Sequence, residues 1–336
     1  MPPTPAPRAS RDRSKRRMRS PVTVRRATYI AVAIVATAVV LPFAPASAVS
    51  SPASSTRTAS ATAASAPASV AAAVTAPARV AQKFDPGFII SDDNFYDANA
   101  MTQQQIQSFL RAQACIPKDA VSCLADYRET TTSRPAEYAH CAPYSGARSE
   151  RASAIITKVA VACGISPRVL LVLLQKEQSL VTRPSTYGYQ RATGYACPDT
   201  AECVSEYFGF FNQLYNAAWQ FREYSASPDW RYHVGAVRIQ YSPNAQCGST
   251  IVTIRNQATA NLYNYTPYQP NLDTIAAPSA PPTPCSTYGN LNFSRIYAQW
   301  FGDPTAPGLP DWWGSCLLYI GGDTCPTDAT VVSVPD

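Results

Sequence analysis

From Phe84 onward, apolar residues recur at the three- and four-residue spacings of amphipathic helices, and in one stretch at the alternate spacing of strands. Residues 101–110 predict a first helix, with Ile106, Phe109 and Leu110 on one face. Thr102, followed three residues later by Gln105, has the form of a capping box. Residues 149–163 predict a second helix on Ile155, Ile156, Val159 and Val161, stopped by Gly164. Residues 166–181 predict a third, with Ser166 as N-cap and Pro167 at the first helical position. Phe210, Leu214, Ala217, Ala218, Phe221 and Tyr224 form the stripe of a fourth. Val237, Ile239 and Tyr241 alternate, as do Ile251, Thr253 and Arg255, and the turn-rich residues 242–248 between them make a β-hairpin. A short helix is expected over residues 256–263, and a last one carries Phe293, Ile296, Tyr297 and Trp300. Residues 112–145 are polar and read as loops held by cysteines. The sum is an α+β fold, mainly helical, with a small β-hairpin and disulfide staples.

One residue breaks this pattern. Glu177 lies on the third helix with Leu173 and Leu174 behind it and Leu180 and Val181 ahead, all at helical neighbour spacing. A carboxylate on an apolar stripe has two fates. It pairs with a cation or backbone amides as a structural group, or burial makes it keep its proton. In the second case it is a candidate general acid, the group a glycosidic oxygen needs at neutral pH. Asp199, Glu202 and Glu206 are nearby carboxylates, but none lies on a comparable stripe, and they read as solvated loop acids.

The ends of the chain change the picture of charge and compartment. Residues 8–26 hold nine basic residues against Asp12, and an apolar run over 27–44 precedes Ala46-Ser47-Ala48. Residues 1–48 therefore read as a secretory signal peptide, with an uncleaved anchor as the other possibility. Once the leader is removed, no later run suits stable membrane insertion. Residues 49–83 are almost wholly Ala, Ser, Pro, Thr and Val and form a disordered linker. The folded domain is expected over 84–303, and 304–336 is a tail. The chain has 28 basic and 22 acidic residues, but beyond the leader 19 face 21, so the positive balance belongs to the leader and does not indicate nucleic acid.

All ten cysteines lie beyond the leader: Cys115, Cys123, Cys141, Cys163, Cys197, Cys203, Cys247, Cys285, Cys316 and Cys325. An even number in an exported chain reads as disulfides. Close spacing suggests Cys115/Cys123, Cys197/Cys203 and Cys316/Cys325, which leaves Cys141/Cys163 and Cys247/Cys285. Sequence alone does not fix the connectivity. No CxxC occurs, and His140 and His233 make no ligand-spaced pair, so neither a metal nor another cofactor is expected. With the cysteines paired and no G-x-S-x-G elbow, a Cys/His or Ser/His hydrolase is not favoured.

The segment Pro167-Arg168-Val169-Leu170-Leu171-Val172-Leu173-Leu174-Gln175-Lys176-Glu177-Gln178-Ser179 resembles the catalytic helix of the lysozyme-like superfamily, in particular the soluble lytic transglycosylases. Their P-x-x-L-L and E-S pattern places the family acid on Glu177, with Gln178 standing before Ser179 here. Residues 192–197 resemble the following groove-lining segment, although the family's G-L-M-Q is absent. Asn261-Leu262-Tyr263-Asn264 resembles the late A-Y-N segment, whose tyrosine supports the acid. Residues 84–110, 171–179 and 262–271 also resemble secreted actinobacterial proteins, some labelled hemagglutinin-like. The resemblance implies a lysozyme-like domain that cleaves peptidoglycan, with Glu177 as acid and base and Tyr263 as its support. In such enzymes one carboxylate suffices, because the muramyl 6-hydroxyl or water completes the reaction.

The chain carries 19 Tyr and 5 Trp, and aromatic faces pack on sugar rings. Tyr187, Gln190, Tyr195 and Tyr265 are the candidate substrate contacts. The expected partner is peptidoglycan or another cell-wall glycan, met by an exported monomer. The alternative is a non-catalytic, adhesive glycan-binding module on the same scaffold.

Overall fold

The computed structural model describes residues 83–198 and 202–307. The leader, the linker to residue 82, Asp199 and the tail with Cys316 and Cys325 lie outside the described residues.

The helices follow the predicted apolar periods, with local signals setting their ends. In chain order the elements are α1 (Asp92–Tyr96), α2 (Gln103–Ala112), β1 (Arg128–Glu129), β2 (Glu150–Arg151), α3 (Ala152–Cys163), α4 (Pro167–Gln178), α5 (Thr186–Gln190), α6 (Phe210–Ala226), β3 (Gly235–Gln240), β4 (Ser249–Ile254), α7 (Gln257–Tyr265), α8 (Leu272–Ala276) and α9 (Gly289–Phe301). The α2 capping box is present. Thr102 Oγ1 accepts from Gln105 N at 3.2 Å, and Gln105 Oε1 accepts from Thr102 N at 2.8 Å. β3 and β4 pair antiparallel, from Gly235↔Ile254 to Gln240↔Ser249. A second antiparallel pair, β1 with β2, was not expected; it takes the first residues of what reads as the second helix. The mixed α/β class is as expected, with the helices dominant.

α3 and α4 make the centre. Gly164 caps α3 at a left-handed φ of 64°, and α4 sets off at 119° to α3. Val169, Leu170, Leu171, Val172, Leu173 and Leu174 are all buried. Each leucine contributes about 2 kcal/mol by leaving water. α4 packs on α9 and α3, and α3 packs on α2 and α6. Pro167 occupies the first turn as expected, but Ser166 makes no side-chain cap; it is wholly buried. Among the described residues no single helix is long and apolar enough to cross a membrane.

Among the described residues four disulfides are formed: Cys115–Cys123, Cys141–Cys163, Cys197–Cys203 and Cys247–Cys285. They match the expected pairs and suit an oxidising compartment. The stapled region before α3 is more than loops, since Leu124, Cys141 and Tyr144 are buried in it. At its centre Glu150 accepts from Thr131 Oγ1 and Tyr144 OH, both at 2.7 Å, and from Lys158 Nζ at 2.6 Å. Burial alone would raise the Glu150 carboxyl, but these donors together hold it below the usual carboxylate range. After α9 the chain returns to α1. Ser91 N donates to the Pro304 carbonyl at 2.9 Å, and Ser91 Oγ to that of Ala306 at 3.0 Å.

Candidate functional site: a groove at the end of the Glu177 helix

α4 ends sooner than its apolar pattern suggests. Gln178 is its last residue, and Ser179 caps it in the left-handed region at φ 56°. Leu180 and Val181 therefore leave the helix face and turn into the core. This corrects the picture of Glu177 enclosed by leucines on both sides. Leu173 and Leu174 lie beneath it, but its own side chain, 24% exposed, stands at the mouth of a groove.

Glu177 is one half of an ion pair. Lys176 Nζ donates to Glu177 Oε1 and, at 2.9 Å, to Thr266 Oγ1. The Lys176 side chain is only 7% exposed. A cation in the last turn also suits the negative end of the helix. Glu177 Oε2 has no donor among the described residues. It approaches Gly194, where a Cβ would stand 3.7 Å away. Gly194 has φ 72°, a conformation glycine enters without the strain other residues incur.

The groove holds about 380 Å³, and Lys176, Glu177, Thr193, Gly194, Tyr265 and Asn292 are among its walls. Glu177 is its only carboxylate among the described residues. Two elements fix the Gly194 wall. Tyr265, at the end of α7, donates its hydroxyl to the Thr193 carbonyl at 2.7 Å. Burial, and after it the Glu177 charge, push this phenol well above its ordinary range, so it stays a donor. Gln213, from α6, is wholly buried. Its Oε1 accepts from Tyr195 N at 3.1 Å and Thr193 N at 3.3 Å, and its Nε2 donates to the Tyr195 carbonyl at 2.9 Å. Gln213 was not foreseen; the only signal for it is an amide beside the apolar stripe of α6.

The remaining predicted residues are spread around this centre. Tyr263 is buried and donates to the Pro86 carbonyl at 3.0 Å, so its hydroxyl is committed away from Glu177. The tyrosine placed beside the acid is Tyr265. Tyr195 packs its ring edge-on against Tyr207, centroids 5.0 Å apart, next to the Gly194 wall. Tyr187 and Gln190 are exposed on α5, outside the groove. Tyr187 is covered by the Arg191 guanidinium, 4.2 Å from its ring centre, and Gln190 Oε1 accepts from Arg191 at 3.2 Å. Glu202 and Glu206 are exposed, as expected of loop acids. His140 pairs with Glu223 at 2.6 Å and stacks on Trp219, apart from the groove. Among the described residues no three His, Cys, Asp or Glu side chains are grouped to hold a metal. A second, larger cavity of about 580 Å³ lies between Phe84 and β4 and includes none of the predicted site residues.

No curated protein and no solved structure gives a significant match to the chain. A family model described as LasA, N-terminal domain, matches residues 88–313, more than half of the chain. Its description names neither lysozyme-like nor hemagglutinin-like proteins, so it does not confirm those likenesses. The likeness to the lysozyme-like superfamily therefore rests on the sequence segments around Glu177 and over residues 192–197 and 261–264 alone. By its sequence, the chain belongs to the LasA N-terminal domain family.

Proposed function

We propose that this exported protein acts on the glycan strands of the cell wall and cleaves them with Glu177 as general acid and then general base. The observation that carries the reading is the setting of Glu177. Among the described residues it is the one carboxylate at the wall of its groove, with one oxygen that has no donor there and a glycine backbone opposite. In the first step Glu177 gives its proton to the departing glycosidic oxygen. In the second it takes a proton from the hydroxyl that attacks the anomeric carbon, either the muramyl 6-hydroxyl or water. Tyr265 and Gln213 support the opposite wall and keep the Gly194 backbone in place. The leader, the four disulfides and membership of the LasA N-terminal domain family all fit an exported protein that acts at the wall.

The Lys176 contact favours a second reading, a glycan-binding module without cleavage. A carboxylate held by an ammonium has no proton to give, so in the enzyme Lys176 must leave that contact before the first step. Incubating the mature protein with peptidoglycan and analysing the soluble fragments by mass spectrometry separates the readings. Anhydromuramyl ends indicate transglycosylation and reducing ends indicate hydrolysis. Intact wall with bound protein indicates a binding module and sinks the enzyme.

A further inference from the structure

We infer that Lys176 is the binding residue for a carboxylate carried by the ligand, and that this carboxylate draws the ammonium off Glu177 as it enters. The inference rests on the glycan-cleaving reading above and deepens it. An ammonium has three donors. Lys176 gives one to Glu177 Oε1 and one to Thr266 Oγ1, and the third has no acceptor among the described residues. The side chain is 7% exposed and forms part of the groove wall, so the groove is the route by which a ligand acceptor reaches it. Gly289 keeps that wall thin. A Cβ there would stand 2.4 Å from Thr266 Cγ2, so glycine lets Thr266 lie against the start of α9, with Lys176 Cε at ordinary contact distance from that Cβ, 3.9 Å.

The charge of the acceptor follows from the competition it faces. A neutral carbonyl would fill the third donor and leave the ion pair intact. A carboxylate makes charge-assisted bonds of the same kind as Glu177 and divides the ammonium with it. The Lys176 donors are then shared between two carboxylates, and the hold of the ammonium on Glu177 weakens while the ligand is in place. No bond forms or breaks in this exchange. Only the Lys176 donors change acceptors. Such a carboxylate exists on a glycan strand as the lactyl group of a muramyl residue, and on its stem peptide as the terminal carboxylate.

Calorimetric titration of the whole mature protein tests this with three probes. The first is the N-acetylglucosaminyl–N-acetylmuramyl disaccharide with its lactyl carboxylate free. The second is the same disaccharide as the neutral methylamide. The third bears a dipeptide whose terminal carboxylate is free. One of the two anionic probes is expected to bind the wild-type protein at least about ten-fold tighter than the methylamide, and which one identifies the source. Lys176→Met removes the preference and Lys176→Arg keeps it. Equal affinity for all three probes in the wild type overturns the inference without recourse to any variant. A preference that survives Lys176→Met overturns it as well. Binding and cleavage are read separately. Carboxylate preference with undegraded wall upholds the Lys176 site and refutes the enzyme; cleavage without preference does the reverse.

Discussion

Among the described residues are two lysine–glutamate pairs that look alike on paper and differ in exposure and in the bonds they leave unmet. Glu150 has a side chain only 6% exposed, and both its oxygens are taken, by Thr131, Tyr144 and Lys158. Glu177 is four times as exposed, one of its oxygens has no donor among the described residues, and its cation has a donor to spare. The first carboxylate is saturated and closes a loop region onto α3. The second is deliberately incomplete in the sense that matters for chemistry, because a group that must exchange protons or partners cannot have all its valences filled. Burial alone does not separate a structural acid from a reactive one; the count of unmet bonds does.

The contrast can be broken by experiment. Glu177→Gln should lower fragment release from peptidoglycan by at least about a hundred-fold while leaving the melting temperature close to wild type, since an amide oxygen at this position can still accept from Lys176. A variant that still cleaves would end the distinction. Glu150→Ala should have the opposite profile, a loss of about 3 kcal/mol in chemical denaturation. Two hydroxyls and a cation are left without their acceptor, and the figure sits at the lower end of the usual range because Lys158 keeps 35% exposure. The sign with pH is fixed. The Glu150 carboxyl is lowered in the folded state, so its stabilisation is present above the ordinary carboxylate range and disappears as pH falls through the folded value. Glu129 and Asp92, raised chiefly by burial, act the other way and lose their contribution as pH rises. The difference between wild type and Glu150→Gln should therefore shrink on acidification, and a constant gap across the titration would contradict the assignment.

Smaller effects sharpen the boundary of the groove. Tyr265→Phe and Tyr263→Phe each remove one hydrogen bond and should each cost about 1 kcal/mol in a thermal melt. Only Tyr265→Phe should slow cleavage, because only Tyr265 ties the wall facing the acid; equal slowing by both would mean the wall does not matter. Gly194→Ala should cost about 1 kcal/mol by strain at its left-handed φ, with Gly194→Asn milder, as comparison of their melting temperatures would show.

What could be read along the chain was local. The α4 start was legible because Pro167 and the leucine run are contiguous, and the Cys115–Cys123 and Cys197–Cys203 disulfides because their partners are 8 and 6 residues apart, whereas Cys141–Cys163 and Cys247–Cys285 followed only as the remaining pairs. Its end was not, since Ser179 does the work usually marked by glycine. The Lys176 contact escaped because adjacent residues do not normally share a helix face. Here the end of α4 lets the lysine curl across. Tyr263 was preferred to Tyr265 on a motif, yet two residues along a helix are roughly 200° apart, so one faces Pro86 and the other the groove. Gln213 and Thr193 are twenty residues apart, across a disulfide loop, and nothing in either neighbourhood announces the other.

The return of the chain after α9 has a consequence of its own. Ser91 and Asn94 hold the carbonyls of Pro304 and Ala306, so an early and a late stretch of the described residues are hydrogen-bonded neighbours. With these two stretches clasped, a cut in an exposed loop between them leaves both halves of the body tethered to each other.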